Sequence, residues 1–208
     1  MEAIARAIQS QHWPVTVVAV VAHREEIPAV ASARALGLPV RIVPLAKGLE
    51  RARHDAELSR CLDEMAPDWI VLAGYMRILS EGFVARHEGR LVNIHPSLLP
   101  AFTGLDTHRR ALAAGVKVHG ATVHLVTPEL DAGPIIAQAV VPVRPDDDEA
   151  ALAQRVLQAE HRLYPLALRA LIEGQIALDG CRARWRHGAA DVAGASGADP
   201  LLLMPELA

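Results

Sequence analysis

Apolar and polar positions follow two periods along the chain, one helical and one extended. Apolar residues spaced three or four apart predict helices at 2–10, 27–37, 52–65, 80–89, 106–115 and 146–174. Short apolar runs rich in β-branched residues predict buried strands at 15–22, 40–43, 68–74 and 91–94. Strands and helices alternate, so the pattern predicts an α/β fold with a doubly wound parallel sheet.

The second half of the chain changes character. The runs 120–126 and 134–143 are extended, and the loop 127–133 between them suits an antiparallel pair. We therefore expect a mostly parallel, Rossmann-like sheet with an antiparallel edge.

Particular residues predict where the later helices begin, end or bend. Asp106 and Gly115 are expected to cap the helix 106–115 at its two ends. The acidic run 146–149 is expected to cap the start of the helix 146–174, where the helix dipole favours carboxylates. Pro165 predicts a break or kink inside that helix.

Composition limits the class of protein. The 208 residues are 51% hydrophobic, enough for a single core, which we place at 1–185, before a Gly/Ala-rich tail at 186–208 that is predicted to be flexible. A net charge of -3 with interspersed signs does not suggest a nucleic-acid partner. The apolar runs are too short for a membrane span. Cys61 and Cys181 are typical of reduced thiols, which favours a cytoplasmic protein.

Polar side chains follow several of the predicted strands, at the sheet edge where ligands bind in such folds. Asn93 and His95 end the strand 91–94, the segment 74–79 follows the strand before it, and Asp131 lies in the loop 127–133. Each residue alone is more typical of a structural role or a turn. A spacing of two places Asn93 and His95 on the same side of an extended segment, so both can reach one substrate atom.

The ten histidines raise the question of a metal site. His119 and His124 are five residues apart, which directs them to opposite faces of a strand. No HExxH or HxxEH motif is present in the sequence. We therefore expect no bound metal.

Four segments together resemble one enzyme family. "NIHPSLLPAFTGLDTHRRAL", "VLAGYMRILS", "VHGATVHLVTPELDAGPIIAQ" and "EHRLYP" closely resemble phosphoribosylglycinamide formyltransferase, over residues 1 to about 185. The resemblance implies a purine-biosynthetic enzyme that moves a formyl group from 10-formyltetrahydrofolate to the amino group of glycinamide ribonucleotide. It places Asn93, His95 and Asp131 at the catalytic positions of the family.

The same resemblance implies the binding residues. The folate cosubstrate is expected to contact Arg51, Met76, Arg77, Ile78, Leu79, Asn93, Thr127, Pro128, Glu129, Leu130 and Asp131. Glycinamide ribonucleotide is expected to contact Met76 and Glu160. The segment "GLERARHD" can also be aligned with Arg53 in place of Arg51.

These residue types suit acyl transfer. When an amine attacks a formyl carbon, the formyl oxygen becomes an oxyanion, which an amide and an imidazole can stabilise by hydrogen bonds. A carboxylate beside the imidazole favours its protonated form. A titratable group, or a water held by Asp131, must also move protons from the amine to the folate nitrogen.

Three alternatives remain at this point. Methionyl-tRNA formyltransferase needs a further RNA-binding domain, which the short, non-basic C-terminal segment does not resemble. Formyltetrahydrofolate deformylase passes the formyl group to water and carries an added regulatory domain. Family members begin with a strand and a phosphate-binding loop, whereas this sequence starts inside the helix 2–10, with Glu2 in its first turn. A non-catalytic folate-binding remnant with weak affinity for the ribonucleotide is therefore the third alternative.

Overall fold

A computed structural model of the chain describes residues 1–45, 50–179 and 182–186, together with the backbone of 201–203. The helices in this part of the chain are α1 (Glu2–Ser10), α2 (Pro28–Ala35), α3 (Arg51–Met65), α4 (Glu81–Arg86), α5 (Thr107–Ala114) and α6 (Glu149–Ile172). The strands are β1 (Val20–Ala22), β2 (Val40–Ile42), β3 (Ile70–Leu72), β4 (Leu91–His95), β5 (Val118–Leu125), β6 (Ile135–Pro142), β7 (Ile176–Asp179), β8 (Arg182–Trp185) and β9 (Leu201–Leu203). None of the described helices is long and apolar enough to cross a membrane.

The chain forms two compact units, residues 1–91 and 92–208. In the first unit, β1 and β2 pair in parallel with Val20 opposite Val40. Helix α2 buries Val30 and Ala33 completely or nearly so. The strand predicted at 15–22 is regular only over its last three residues, and of these only Ala22 is buried.

Helices α3 and α4 of the first unit are joined by buried polar contacts. Asp55 of α3 accepts a hydrogen bond of 2.7 Å from the backbone N–H of Ser80, which in turn caps α4. His87 lies 3.5 Å from the Ser59 hydroxyl through Nε2, and Arg90 donates to its Nδ1 at 2.9 Å. Because Arg90 is a donor, the imidazole carries its hydrogen on Nε2 and donates to Ser59. The Ser59–His87 pair is therefore structural and does not activate the hydroxyl as a nucleophile.

The second unit is built on β4, β5, β6 and β9, which are neighbours in that order. All three pairings are antiparallel, with Asn93 opposite His124 in β4–β5. Helix α6 supplies the largest group of buried apolar side chains, among them Leu152, Val156, Leu163 and Leu168. The parallel β1–β2 pair, the alternation of helices and strands, and this antiparallel edge confirm the predicted α/β class.

One predicted helix cap and one predicted helix break differ from the structure. Helix α6 is capped by Asp148, as predicted, but it runs through Pro165 without a break. Gly115 ends α5 with φ 67°, as predicted. Asp106 precedes α5 in a left-handed conformation, and its carboxylate pairs with Arg109 instead of capping the helix.

The C-terminal region contains strands that the pattern does not predict. β7 and β8 form an antiparallel hairpin with Ile176 opposite Trp185. Within the segment predicted as a flexible tail, β9 pairs with β6. Residues 187–200 and 204–208 of that tail, and Cys181, lie outside the described residues.

Candidate active site

Strand β4 delivers two of the predicted catalytic residues, Asn93 and His95. The antiparallel register places His124 opposite Asn93 and Thr122 opposite His95. The Asn93 amide lies 3.3 Å from His124 Nε2, so β5 contributes a side chain to the same site. This neighbour depends on strand register, which the sequence alone does not reveal.

The turn after His95 is fixed by polar side chains of the neighbouring strands. Thr122 donates to the Ser97 carbonyl at 2.7 Å and accepts from the Leu99 N–H at 3.0 Å. Gln138 donates to Thr122 and to the Leu99 carbonyl, both at 2.9 Å. The chain that leaves His95 is thus held from two strands, which limits the movement of the imidazole.

The imidazole of His95 lies between two oxygen acceptors. Its Nε2–H donates to the backbone carbonyl of Phe102 at 3.0 Å, and its Nδ1 is 3.5 Å from Asp131 Oδ2. The two side chains are only 8% and 7% exposed. An oxygen acceptor therefore faces each ring nitrogen of His95.

Asp131 is held in place by its own loop and by the backbone of another. It adopts φ 53°, a left-handed conformation that Asp tolerates better than most residues. Its Oδ2 accepts a hydrogen bond of 2.8 Å from the Gly104 N–H. A Cβ on Gly133 would lie 1.8 Å from the Leu125 carbonyl oxygen, so only glycine lets the chain return to β6 there.

His124 is neutral and positions the Asn93 amide. Its Nδ1 lies 2.9 Å from the Leu125 carbonyl and must carry the hydrogen, which leaves Nε2 to accept from Asn93. Burial lowers the pKa of His124, in agreement with a neutral ring. Asp131 Oδ1 lies 3.9 Å from this ring, so Asn93, His95, His124 and Asp131 form one cluster.

The structure therefore brings Asn93, His95 and Asp131 together and adds groups that sequence reasoning missed. Histidine spacing does not distinguish His124 from the other histidines, because its place beside Asn93 depends on strand register. The carbonyl of Phe102 and the N–H of Gly104 are backbone groups, and residue type carries no signal for them.

A second pair of histidines packs beside this cluster. His119 is 1% exposed, and its ring meets those of Phe102 and His108 edge-on. Neither ring nitrogen of His119 has a well-formed partner among the described residues, and burial lowers its pKa to about 4. Burial also lowers the pKa of His108. Both rings are neutral near pH 7 and form an uncharged wall.

Glu160 lies on α6 in the second unit. Burial raises its pKa to about 7. One helical turn later, Tyr164 donates to the Val92 carbonyl at 2.9 Å, which fixes this part of α6 against β4. Glu160 is thus a carboxyl group that changes charge near neutral pH.

The remaining folate positions of the second unit lie on the loop that carries Asp131. Thr127 is half-buried and donates to the Glu129 carbonyl at 3.2 Å. Pro128, Glu129 and Leu130 are exposed.

The other predicted binding residues lie in the first unit. Met76 and Ile78 are 78% and 54% exposed, whereas Leu79 is buried. Arg77 lies 3.3 Å from Nδ1 of the buried His54. Arg51 begins α3 and is exposed, as is Arg53, so both alignments of that segment give an accessible guanidinium.

The donor set of the cluster suits acyl transfer better than metal chemistry. Within the described ranges, no three His, Cys, Asp or Glu side chains are grouped as metal ligands. The cluster instead offers an amide donor, an imidazole donor and a carboxylate within one buried corner, which is the set that stabilises an oxyanion and moves a proton.

Comparison with known proteins supports the same chemistry. The sequence profile of the formyl transferase family matches residues 1–168. The chain belongs to this family. Over 188 residues it is 42% identical to phosphoribosylglycinamide formyltransferase of Escherichia coli (strain K12), covering 90% of this chain and 88% of that protein. The family is enzymatic, and the resemblance read from the motifs is confirmed.

Solved structures show how far the fold is shared within the formyl transferase family. Glycinamide ribonucleotide transformylase 1 from Symbiobacterium toebii superposes with a TM-score of 0.84 at 40% identity, covering 88% of this chain and 87% of that one. A formyltetrahydrofolate deformylase from Pseudomonas syringae pv. tomato str. DC3000 gives a TM-score of 0.80 at 29% identity, covering 87% of this chain and 60% of that one. The Rossmann-like fold is common to both, and the transformylase has the higher identity.

Proposed function

We propose that this protein transfers a formyl group from 10-formyltetrahydrofolate to the amino group of glycinamide ribonucleotide, a step of purine biosynthesis and of one-carbon metabolism. The observation that carries the proposal is the partly buried cluster of Asn93, His95 and Asp131 in a member of the formyl transferase family. Residues 1–185 form the catalytic region in this proposal. The partners are two small molecules in the cytoplasm, with no role for a metal, a membrane or nucleic acid.

The reaction exchanges one carbon–nitrogen bond for another. The substrate amine forms a bond to the formyl carbon, and the bond from that carbon to the folate nitrogen breaks. A proton leaves the amine, and one reaches the folate nitrogen. Between these events the formyl oxygen carries a negative charge, which Asn93 and His95 stabilise by hydrogen bonds.

The cluster prepares both donors before substrate binds. The Asn93 amide has two hydrogens, and its contact with His124 uses one of them. The His95 Nε2–H is held by the Phe102 carbonyl, so the formyl oxygen takes the place of that carbonyl during the reaction. Asp131 faces Nδ1 of the same ring, so its carboxylate holds the orientation of the imidazole that donates to the oxyanion.

We assign the folate cosubstrate to two groups of residues. In the second unit these are Asn93 and the loop residues Thr127, Pro128, Glu129, Leu130 and Asp131, of which Leu130 is 51% exposed and available to an aromatic ring. In the first unit they are Arg51, Met76, Arg77, Ile78 and Leu79. The apolar side chains of Met76 and Ile78 are exposed and therefore accessible to a ligand, which is compatible with a binding role.

We assign the amine-bearing substrate to Glu160, with Met76 as a second contact. A carboxyl group with a pKa of about 7 is partly ionised at neutral pH and can pair with a cationic amine or accept its proton. Its position on α6 is fixed by the bond from Tyr164 to β4.

The test is to follow a labelled formyl group. The chain is incubated with [formyl-14C]-10-formyltetrahydrofolate, with and without glycinamide ribonucleotide, and the label is measured in the ribonucleotide and in free formate. We expect the label in the ribonucleotide. The His95→Ala variant, purified in the same way, is the matched control for contaminating enzyme. It lacks the proposed donor, so label transferred by that preparation would come from a contaminant.

The deformylase likeness supports a second candidate, hydrolysis of 10-formyltetrahydrofolate, because the two activities share a fold at 29% identity. Label that appears as formate at the same rate with and without ribonucleotide would identify that activity. Binding of the folate with no release of label would identify the third alternative, a non-catalytic folate-binding protein. Either outcome would overturn the proposed transfer.

A further inference from the structure

Loop 102–106, which approaches both His95 and Asp131, has an unusual backbone. Phe102, Gly104 and Asp106 adopt positive φ values of 55°, 75° and 58°. Only glycine enters this region without steric cost, so two of the three residues hold conformations that need support from outside the loop. The loop nevertheless makes two hydrogen bonds that depend on its exact backbone position, from Gly104 N–H to Asp131 and from His95 to the Phe102 carbonyl.

Part of this support comes from an exposed side chain on the following helix. Arg110 of α5 donates through Nη1 to the carbonyl of Thr103 at 2.5 Å and to that of Leu105 at 3.2 Å. Its guanidinium also lies 5.7 Å from the centre of the Phe102 ring. The two carbonyls flank Gly104, so the guanidinium fixes the residues on both sides of the N–H that binds Asp131.

We propose that Arg110 is a positioning residue for the catalytic pair His95–Asp131 and acts through loop 102–106. A charged donor gives stronger hydrogen bonds to carbonyls than a neutral one, and the planar fork of arginine loses little freedom in making them. Arg110 thereby keeps the Gly104 N–H directed at Asp131 Oδ2, and the carboxylate directed at Nδ1 of His95. This inference rests on the catalytic roles proposed above for His95 and Asp131.

The loop makes one contact that stays in place during the proposed reaction, from Gly104 N–H to Asp131, and one that the substrate displaces, from the Phe102 carbonyl to His95. Arg110 binds the carbonyls of Thr103 and Leu105 and leaves that of Phe102 to His95. The Phe102 carbonyl can therefore yield its place to the formyl oxygen while Gly104 stays on Asp131. A loop without this guanidinium would lose both links together.

The test compares Arg110→Gln and Arg110→Lys with Arg109→Gln. Arg109 is an exposed arginine one residue earlier on α5, and it pairs with the Asp106 side chain. It is a matched control because Arg109→Gln removes the same charge from the same helix. Each variant is examined for steady-state transfer of the formyl group and for the backbone amide signal of Gly104 by NMR, with a thermal melt to confirm folding.

In Arg110→Gln we expect kcat to fall roughly 10-fold with both KM values within about 2-fold, because the loss is one of alignment and not of binding. The Gly104 amide proton should shift upfield and exchange about 10-fold faster, since its bond to the carboxylate is weakened. Arg110→Lys should lose about 3-fold in kcat, because an ammonium keeps the charge without the fork. Arg109→Gln should match the unmodified chain.

An unchanged Gly104 signal and kcat in folded Arg110→Gln would overturn the proposal, as would an equal loss in Arg109→Gln. If Arg110→Gln does not fold, Arg110→Lys decides by the same two measurements. The Gly104 signal does not depend on activity. A shifted signal in a chain that transfers no formyl group would overturn the proposed function and leave the link from Arg110 to Asp131 standing.

Discussion

Strand β1 belongs to an almost wholly apolar run, whereas β5 contains two histidines, yet β5 is the more buried of the two. The run 15–22 becomes a strand only at Val20–Ala22, and Val18 remains 44% exposed. In β5, seven of the eight residues are buried. The reason is the number of neighbours, because β5 lies between β4 and β6, whereas β1 pairs with β2 alone among the described strands. An apolar run indicates that a strand can be buried, but the number of neighbouring strands determines whether it is.

The same contrast separates the two groups of proposed site residues. His95 and Asp131 of the second unit are each held by more than one contact, and the Asn93 amide contacts His124. The exposed Met76 and Ile78 of the first unit have side chains open to solvent. Groups that stabilise a transition state need to be fixed before the reaction, and groups that bind an apolar ligand need to be accessible. We therefore expect substitutions in the two groups to affect different kinetic constants.

The largest effect is expected in the fixed group. Asn93→Ala or His95→Ala should lower kcat by about 10²–10³-fold, because each removes one donor to the oxyanion. KM should change little, since the formyl oxygen is a poor acceptor before attack. Steady-state kinetics on folded variants measures both constants. Near-normal turnover in either variant would contradict the assignment.

The difference in strand neighbours predicts a difference in local stability. Backbone amides of β5 and β6 should exchange with solvent at least about 10²-fold more slowly than those of β1, because they open only when the buried sheet opens. Hydrogen exchange followed by mass spectrometry or NMR measures this. Equal protection in β1 and β5 would show that neighbours do not explain the contrast in burial.

A smaller effect is expected in the accessible group. Met76→Ala or Ile78→Ala should raise KM for 10-formyltetrahydrofolate about 10-fold, since burying such a side chain against a ligand contributes about 1.5 kcal/mol. Turnover at saturation should stay within about 2-fold of the unmodified chain. A comparable substitution at exposed Val118 of β5 is the control, with no change in either constant. A fall in kcat without a rise in KM for Met76→Ala would contradict the assignment of Met76 to binding.

Glu160 shares a property with each group, because it is partly buried like the fixed residues and assigned to binding like the accessible ones. Its pKa is raised from 4.5 to about 7, so the folded state holds its proton more tightly than the unfolded state. The contribution of Glu160 to stability is complete below pH 4.5 and is lost as the pH rises through about 7. Glu160→Gln keeps the shape without the charge. It should be more stable than the unmodified chain by about 1–3 kcal/mol at pH 8 and similar to it at pH 4.5.

The measurement for Glu160→Gln is chemical denaturation at both pH values, with affinity for glycinamide ribonucleotide as the second reading. Affinity should fall while stability at pH 8 rises. Exposed Glu88→Gln is the control and should change stability equally at the two pH values. A Glu160→Gln variant that binds the ribonucleotide normally would remove Glu160 from the site.

The sequence predicts the helices well, and the spacing of Asn93 and His95 predicts that they share one side of a strand. The periodicity of 2–10 and the capping carboxylates before α6 depend on local interactions, and both predictions are confirmed. Asn93 and His95 share a side because the strand period is two. The part played by His124 could not be predicted, because it follows from the register of β4 on β5.

Other features could not be predicted because they depend on the backbone of one loop. The side chain of Phe102 does not indicate a left-handed conformation, and Asp106 only tolerates one better than most residues do. Pro165 is read as a helix breaker, but α6 is packed along its length and tolerates the lost hydrogen bond. The hairpin β7–β8 follows a long helix and lacks a strong alternating pattern.

The most direct test of the central claim, that the fixed cluster performs the chemistry, is the kinetics of Asp131→Asn. The amide oxygen of asparagine can still accept from Gly104, so the loop is kept while the charge facing His95 is removed. We predict a fall in kcat of about 10²-fold or more with KM for both substrates nearly unchanged. A kcat within about 2-fold of the unmodified chain would contradict the account.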